Sequence, residues 1–191
     1  KLRIIKKLDD VGIQFIEAGW FRAGKAEDAA LFEKIRDLNL MNAAIAVFGM
    51  TCHKGKKPED DKHLPLLLCA DTSIITLVGK ASEFHVRRIL KTELEENLRM
   101  IRESCAWLVS QGKDVFFDAE HFFDGFKENQ QYALACIKSA ISGGASRIIL
   151  CDTNGGSLSS EIFYIVSKTR KEVIDKNRKE CEVPLGIHAH N

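Results

Sequence analysis

The stretch Asp114-Val-Phe-Phe-Asp-Ala-Glu120 carries a two-residue repeat that sets the fold of the surrounding chain. Successive side chains of a β-strand point to opposite faces. One face carries Asp114, Phe116, Asp118 and Glu120, and the other carries Val115, Phe117 and Ala119. The second face is apolar, which is typical of a barrel strand that packs against helices. We therefore expect Asp118 and Glu120 to point into a βα barrel as neighbours near its mouth.

Strands and helices alternate along the rest of the chain at a period of about thirty residues, the length of a βα unit. The predicted strands are 11–18, 43–48, 73–78, 114–120, 147–152 and 185–190. The predicted helices are 1–10, 27–38, a short one at 63–70, a long one from 92, 132–141 and 161–174. This order predicts an α/β protein with a parallel sheet, formed by residues 1–191 as a single domain.

Local signals support two of the predicted helix ends. Gly12 follows the first apolar stripe and is expected to end that helix in the left-handed conformation. Thr92-Glu-Leu-Glu95 has the sequence of a capping box and is expected to open the long helix. The stripe on the inner face of that helix comprises Leu94, Leu98, Ile101, Cys105 and Leu108.

The composition is that of an ordinary globular protein with one core: 191 residues, a net charge of +1 and 45% hydrophobic residues. The balanced charge does not favour a nucleic acid or an anionic membrane as partner. No apolar run approaches the ~20 residues that cross a bilayer, and the charged first residues do not resemble a signal peptide. The six cysteines form no CxxC pair, so we expect free thiols and a cytoplasmic location.

Polar residues and glycines gather where the predicted strands end. They are Glu17 and Gly19, Gly49 and Thr51, Gly79 and Lys80, Asp118, Glu120 and His121, Asp152, Thr153 and Asn154, and His188 and His190. Ligands of parallel α/β proteins bind at the carboxyl ends of the strands. Loops are polar in any protein, but carboxylates, Thr and His recurring at one end favour a functional site.

The final stretch, Pro184-Leu-Gly-Ile-His-Ala-His-Asn191, places two histidines on one strand face. Neutral imidazole is a common ligand of divalent transition metals, so His188 and His190 are candidate metal ligands. The alternative is a pair of surface histidines beyond a strand end.

Two further groups at strand ends have a chemical and a structural interpretation. Asp118 and Glu120 raise one another's pKa unless a cation intervenes, which suits proton transfer or metal support. A salt-bridged structural pair is the alternative. Thr153 shares a face with Ile149 and Cys151 and could donate to a substrate carboxylate, or it could cap the following turn.

Four motifs, in order and spread over the whole chain, resemble one superfamily of enzymes. They are Ile16-Glu-Ala-Gly-Trp20, Asp118-Ala-Glu-His-Phe-Phe-Asp-Gly125, Leu150-Cys-Asp-Thr-Asn-Gly-Gly156 and Leu185-Gly-Ile-His-Ala-His-Asn191. The superfamily is that of 2-isopropylmalate synthase, homocitrate synthase and 3-hydroxy-3-methylglutaryl-CoA (HMG-CoA) lyase. The second and third motifs look most like the citramalate synthase type.

The resemblance implies a (βα)₈ TIM barrel that binds one divalent metal ion, Mn²⁺, Zn²⁺ or Mg²⁺, through His188 and His190. It implies condensation of acetyl-CoA with an α-keto acid, followed by thioester hydrolysis. Pyruvate and citramalate are the expected pair, with 2-isopropylmalate or homocitrate as alternative products. Glu120 matches the acid/base carboxylate. The expected substrate-binding residues are Glu17, Asp118, Asp152 and Thr153, and the expected full-length enzyme is a homodimer.

The Arg-Asp-Gly motif of the superfamily, which supplies an aspartate ligand from the first barrel strand, has no counterpart here. We expect a partial barrel that lacks the first strand and the last βα unit, with open apolar edges and no activity on its own. A metal-dependent carbon–carbon lyase or aldolase is the second functional hypothesis. A truncated, non-catalytic barrel or assembly module is the third.

Overall fold

A computed structural model describes residues 1–22, 24–174 and 183–190 of the protein. Within them, six parallel strands form one sheet in sequential order. They are β1 Phe15–Trp20, β2 Ala44–Met50, β3 Ile74–Lys80, β4 Asp114–Glu120, β5 Arg147–Asp152 and β6 Leu185–Ala189. Each strand pairs with the next along the chain, as in a TIM barrel, so the predicted partial-barrel fold is confirmed. Cys181 and Asn191 lie outside the described residues.

Helices connect the strands. They are α1 Leu2–Val11, α2 Ala26–Arg36, the short α3 Glu83–His85, α4 Leu94–Ser110, α5 Phe122–Glu128, α6 Gln130–Ser142 and α7 Ser159–Thr169. Turns of 3₁₀-helix occupy Pro58–Asp60 and Pro65–Ala70, and π-helical turns occupy Val86–Leu90 and Arg170–Ile174. Among the helices described, none has both the length and the apolar character that a membrane crossing requires.

The two faces of β4 contribute to two different cores. Val115, Phe117 and Ala119 are fully buried in the large core between sheet and helices. Phe116, on the opposite face, belongs to a small inner cluster that also contains Ile74. Both acids at the end of the strand share the face of Phe116, so the predicted inward direction is correct. The outer core fixes this orientation, because a one-residue slip would exchange the faces.

A β-bulge in β1 changes which residues face the barrel interior. The pairing of β1 with β2 shifts between Glu17 and Gly19, and Gly19 has a φ of 124°, which glycine adopts without strain. Because a bulge inserts one extra residue, it reverses the alternation of side chains. Trp20 therefore lies on the inner side together with Glu17, and its ring packs edge-on against Phe48 with centroids 4.9 Å apart.

The first strand begins at Phe15, whereas the sequence predicted Val11. Val11 completes α1, and Gly12 ends that helix in the left-handed conformation with a φ of 89°, as predicted. The Gly12 amide donates to the carbonyl oxygens of Asp9 and Leu8. Val11 therefore belongs to the helix, although its hydrophobic side chain had suggested the strand.

The predicted capping box is wrong. The N-cap of α4 is Glu93, and its side chain makes no capping hydrogen bond. The Thr92 amide donates instead to the carbonyl oxygen of Val86, 3.3 Å away, which closes the preceding π-helical turn. The predicted stripe of α4 is correct, since Ile101, Cys105 and Leu108 are fully buried; α5 was not predicted at all.

The contact between α5 and the end of β3 predicts a stability difference between two glycines. A Cβ added to Gly125 would lie 2.2 Å from the carbonyl oxygen of Ala81 and 2.8 Å from the Cα of Ser82, both backbone atoms. Gly125→Ala should therefore lower the free energy of unfolding by about 1–3 kcal/mol, the usual cost of overpacking, despite a better helix propensity.

Gly156→Ala is the matched control, because nothing lies within 4 Å of the added Cβ. It should be neutral or slightly stabilising. Urea unfolding followed by circular dichroism measures both variants. Equal midpoints for the two would show that α5 does not pack as closely as described.

Candidate active site

The carboxyl ends of five strands bring polar side chains to the inner face of the sheet. Parallel register sets their relative height: Cys151 pairs with His188, Val78 with Asp118, and Lys80 with Glu120. Glu17 on β1 interacts with Asp118 and His188 through its charge, and with Thr76 through a hydrogen bond. The inward residues at these strand ends are Glu17, Thr76, Lys80, Asp118, Glu120, Cys151 and His188.

Asp118 is the most deeply buried acid of this group, with 6% of its surface exposed. Burial raises the pKa of its carboxyl group to about 6, the Cys151 thiol opposes the shift by a hydrogen bond, and the charge of Glu120 adds to it. The His188 Nδ1 atom lies 3.7 Å from Asp118 Oδ2. Glu120 therefore raises the pKa of Asp118, as predicted, but burial is the larger cause.

Glu17 is a second acid with a raised pKa. The residue keeps much of its surface exposed because β1 is an edge strand of the described sheet. Partial burial of its carboxyl group nevertheless raises the pKa, and the charge of Asp118 raises it further. The hydrogen bond with Thr76 and the charge of His188 act in the opposite direction.

Glu120 forms an ion pair with Lys80 on the neighbouring strand, through Oε2 and Nζ. Both side chains are mostly buried, with 27% and 19% of their surfaces exposed, so solvent screens the pair only in part. The second carboxylate oxygen, Oε1, lies 4.0 Å from His121 Nε2. The His121 ring in turn stacks on that of His85 with centroids 3.6 Å apart.

A cavity of about 220 Å³ opens beside this ion pair. Its lining comprises Trp20, Phe48, Met50, Thr51, Val78, Gly79, Lys80, Leu90 and Glu120. The walls are largely apolar, and the ion pair supplies the charged groups. A cavity of this kind can hold a small apolar group next to a carboxylate.

His188 and His190 lie side by side at the end of β6. Their rings are stacked, with centroids 4.6 Å apart and an interplanar angle of 19°. His188 and His190 are both exposed, and the carboxylate of Asp118 lies near the His188 imidazole. Imidazole and carboxylate groups are donor types that suit a divalent metal ion.

Asp152 and Thr153 make structural contacts at the end of β5. Asp152 is buried, and its carboxylate accepts from the Ser157 hydroxyl at 3.1 Å and the Ser157 amide at 3.2 Å. Thr153 Oγ1 accepts from the His121 amide at 2.8 Å, which ties the end of β5 to that of β4. The hydroxyl hydrogen of Thr153 can still donate. Substrate contacts of these two residues, and of Glu17 and Asp118, remain predictions.

The sequence placed Lys80 among the polar residues at the strand ends but assigned it no role, and it did not single out Thr76 or Cys151 as site residues. A signal for the first two exists in Ile74-Ile-Thr-Leu-Val-Gly-Lys80, where Thr76, Val78 and Lys80 alternate with buried apolar residues. The pairing of Lys80 with Glu120 depends on the relative register of two strands, and no single strand encodes that register.

The described strands form a partial parallel βα barrel with acids, a lysine and histidines at the carboxyl ends of its strands. The model of the HMGL-like family matches residues 1–191. The chain belongs to the HMGL-like family, and this confirms the superfamily to which its motifs point.

Curated relatives support the citramalate synthase type within this family. The (R)-citramalate synthase of Aquifex aeolicus is 44% identical over 191 residues, which are all of this chain and 35% of that protein. The (R)-citramalate synthase of Geobacter sulfurreducens is 41% identical, with 34% of its length covered. A probable 2-isopropylmalate synthase of Methanopyrus kandleri is 28% identical over 192 residues, with 34% covered. The chain thus spans about a third of these relatives.

Solved structures show the same fold at low identity. An HMG-CoA lyase from Pseudomonas aeruginosa has a TM-score of 0.70 and 15% identity, with 97% of this chain and 67% of that chain covered. An HMG-CoA lyase from Acinetobacter baumannii, in complex with coenzyme A and 3-methylmalate, has a TM-score of 0.71 and 19% identity, with 99% and 58% covered.

The burial of Asp118 predicts a pH-dependent gain in stability on its neutralisation. With a folded pKa of about 6 against an ordinary value of 3.8, the folded state binds more protons than the unfolded state between these values. Stability of the wild type therefore falls as the pH rises through this window. Asp118→Asn removes the free-energy cost of burying the charged carboxylate and should raise the free energy of unfolding at pH 7.5 by about 1–3 kcal/mol.

Near pH 4 the gain should largely disappear, because the wild-type carboxyl group is then protonated in the folded protein. Asp114→Asn, on the same strand but exposed, is the matched control and should change little at either pH. Urea titrations at the two pH values give the comparison. An unchanged Asp118→Asn midpoint at pH 7.5 would mean that Asp118 is better solvated than described.

Proposed function

We propose that the enzyme containing this chain condenses acetyl-CoA with an α-keto acid in a metal-dependent reaction, and that pyruvate and citramalate are the substrate and product. The observation that carries the proposal is Glu120, held by Lys80 at the edge of a small apolar cavity on the barrel's inner face. The similarity to (R)-citramalate synthases over the whole chain supports this choice of keto acid.

His188 and His190 would hold the divalent metal ion, since their imidazoles lie side by side on β6. When bound, the metal supplies Lewis-acid polarisation of the keto carbonyl. Asp118 lies 3.7 Å from His188 and would orient that ring, as carboxylates commonly do for metal-binding histidines.

Glu120 would act as the general base or order the water that does so. A proton passes from the methyl group of the acetyl thioester to the Glu120 carboxylate, and the resulting carbanion forms the new bond to the keto carbon. The π electron pair of the keto group moves to its oxygen, which then takes up a proton. Water then cleaves the thioester and releases coenzyme A. Lys80 fixes one carboxylate oxygen, so the other, Oε1, remains free to accept the proton.

The cavity beside Glu120 would receive the acetyl group. Trp20 and Phe48 supply apolar walls, and a wall without polar partners excludes water from a carbanion. We assign Glu17, Asp118, Asp152 and Thr153 to the keto-acid side of the site. The homodimeric state and the cytoplasmic location also remain proposals, and they rest on the resemblance to the family.

The reaction is tested with the full-length enzyme, acetyl-CoA and pyruvate, by following the release of free coenzyme A. Glu120→Gln should lower kcat by about 10²–10⁴, the range for a general acid–base group, with a smaller change in KM. Glu95→Gln, an exposed acid on α4, is the matched control and should retain wild-type kcat.

A wild-type kcat in Glu120→Gln would remove this residue from the chemistry. Cleavage of an acyl-CoA ester without condensation would support the lyase hypothesis instead. If the full-length protein catalyses neither condensation nor cleavage, the hypothesis of a non-catalytic barrel would be supported.

A further inference from the structure

Three potential metal ligands of different chemical type meet on the inner face of the sheet. Asp118, Cys151 and His188 each offer one donor atom, and these atoms all lie within 4.8 Å of one another. They come from the adjacent strands β4, β5 and β6, and Cys151 is the direct partner of His188 in the parallel register. Three rigid elements therefore hold the three donors together, without a contribution from a loop.

The chemistry of this donor set differs from that of the two histidines. It contains a sulfur atom, and thiolate ligands select thiophilic ions such as Zn²⁺ and Co²⁺ over Mg²⁺ and Mn²⁺. Zinc binds Cys, His and carboxylate ligands in tetrahedral sites, and three protein ligands leave one position open. Asp118 and Cys151 are both buried, with 6% and 4% of their surfaces exposed, so little water competes for these donors.

The surroundings of the three residues favour a cation. Glu17 interacts through its charge with both Asp118 and His188, so a second carboxylate lies close to the group. Cys151 is a free cysteine, and its thiol contacts the Asp118 carboxylate and, at 3.8 Å, the carbonyl oxygen of Ile149. Metal binding would replace the thiol proton, which passes to solvent.

We propose that Asp118, Cys151 and His188 form a binding site for a thiophilic divalent ion, with the Cys151 thiolate as a ligand. This site shares His188 with the metal site of the proposed function. An ion held by Asp118 and Cys151 would compete for the His188 imidazole with the metal ion of the proposed function. That competition rests on the proposed function, whereas the binding itself does not.

Cobalt is the probe, because Co²⁺ takes Zn²⁺ sites and its bond to a thiolate gives a charge-transfer absorption in the near ultraviolet. The protein is titrated with Co²⁺ in a thiol-free reducing buffer. The wild type should show the thiolate band, and Cys151→Ser should lose it together with at least about tenfold in Co²⁺ affinity. Cys69→Ser, which removes an exposed thiol, should keep both.

A band that survives in Cys151→Ser, or its absence from the folded wild type, would overturn the proposal. Cys151→Ala serves as a second variant, and circular dichroism confirms that each variant is folded. Loss of the band in Cys69→Ser would assign the cobalt to that thiol instead and would also overturn it.

His190→Ala separates this proposal from the proposed function. The thiolate band should persist in His190→Ala, because that residue is not part of the group. Under the proposed function, the same variant should lose affinity for Mn²⁺. Failure of the first result overturns the thiolate site alone, and failure of the second overturns only the metal site of the proposed function.

Discussion

The alternation of side chains along β4 is the constraint on which the remainder of the site depends. Phe117 and its apolar neighbours are fully buried among the helices, and this burial fixes Asp118 and Glu120 on the inner face. A slip of one residue would place both acids in the outer core, which is prohibitively costly for unpaired charges. Because β3, β5 and β6 are parallel to β4 and in fixed register with it, Lys80, Cys151 and His188 reach the same region.

The inner face of the sheet combines acids that destabilise the fold with an ion pair that offsets part of their charge. Burial raises the pKa of Asp118 and of Glu17, and the charge of Glu120 on the first and of Asp118 on the second adds to it, so both groups oppose folding at neutral pH. Lys80 offsets part of the negative charge through its pair with Glu120. A cation at this face would relieve the same repulsion, so the acids that reduce stability are also the groups that attract a metal ion. Strongly perturbed acids in this arrangement are typical of functional sites.

Local patterns in the sequence predicted much of this fold. β4 and β5 have the predicted bounds, since each is a short run with clear alternation or strong apolar character. The start of the first strand was predicted too early because Val11 is compatible with both the helix and the strand. The bulge after Glu17 could not be predicted, because the sequence pattern does not show where the alternation reverses. α5 is a seven-residue aromatic segment without helical periodicity. The pairing of Lys80 with Glu120 depends on tertiary register, and so does the meeting of Cys151 with Asp118.

We propose that the histidines of β6 form a metal-binding site at the inner mouth of the barrel. Isothermal titration of the full-length protein with Mn²⁺ measures this binding. We expect one bound ion in the wild type, an affinity at least about tenfold lower in His190→Ala, and no change in His63→Ala, an exposed histidine after β2. Equal affinities in the wild type and His190→Ala would contradict it.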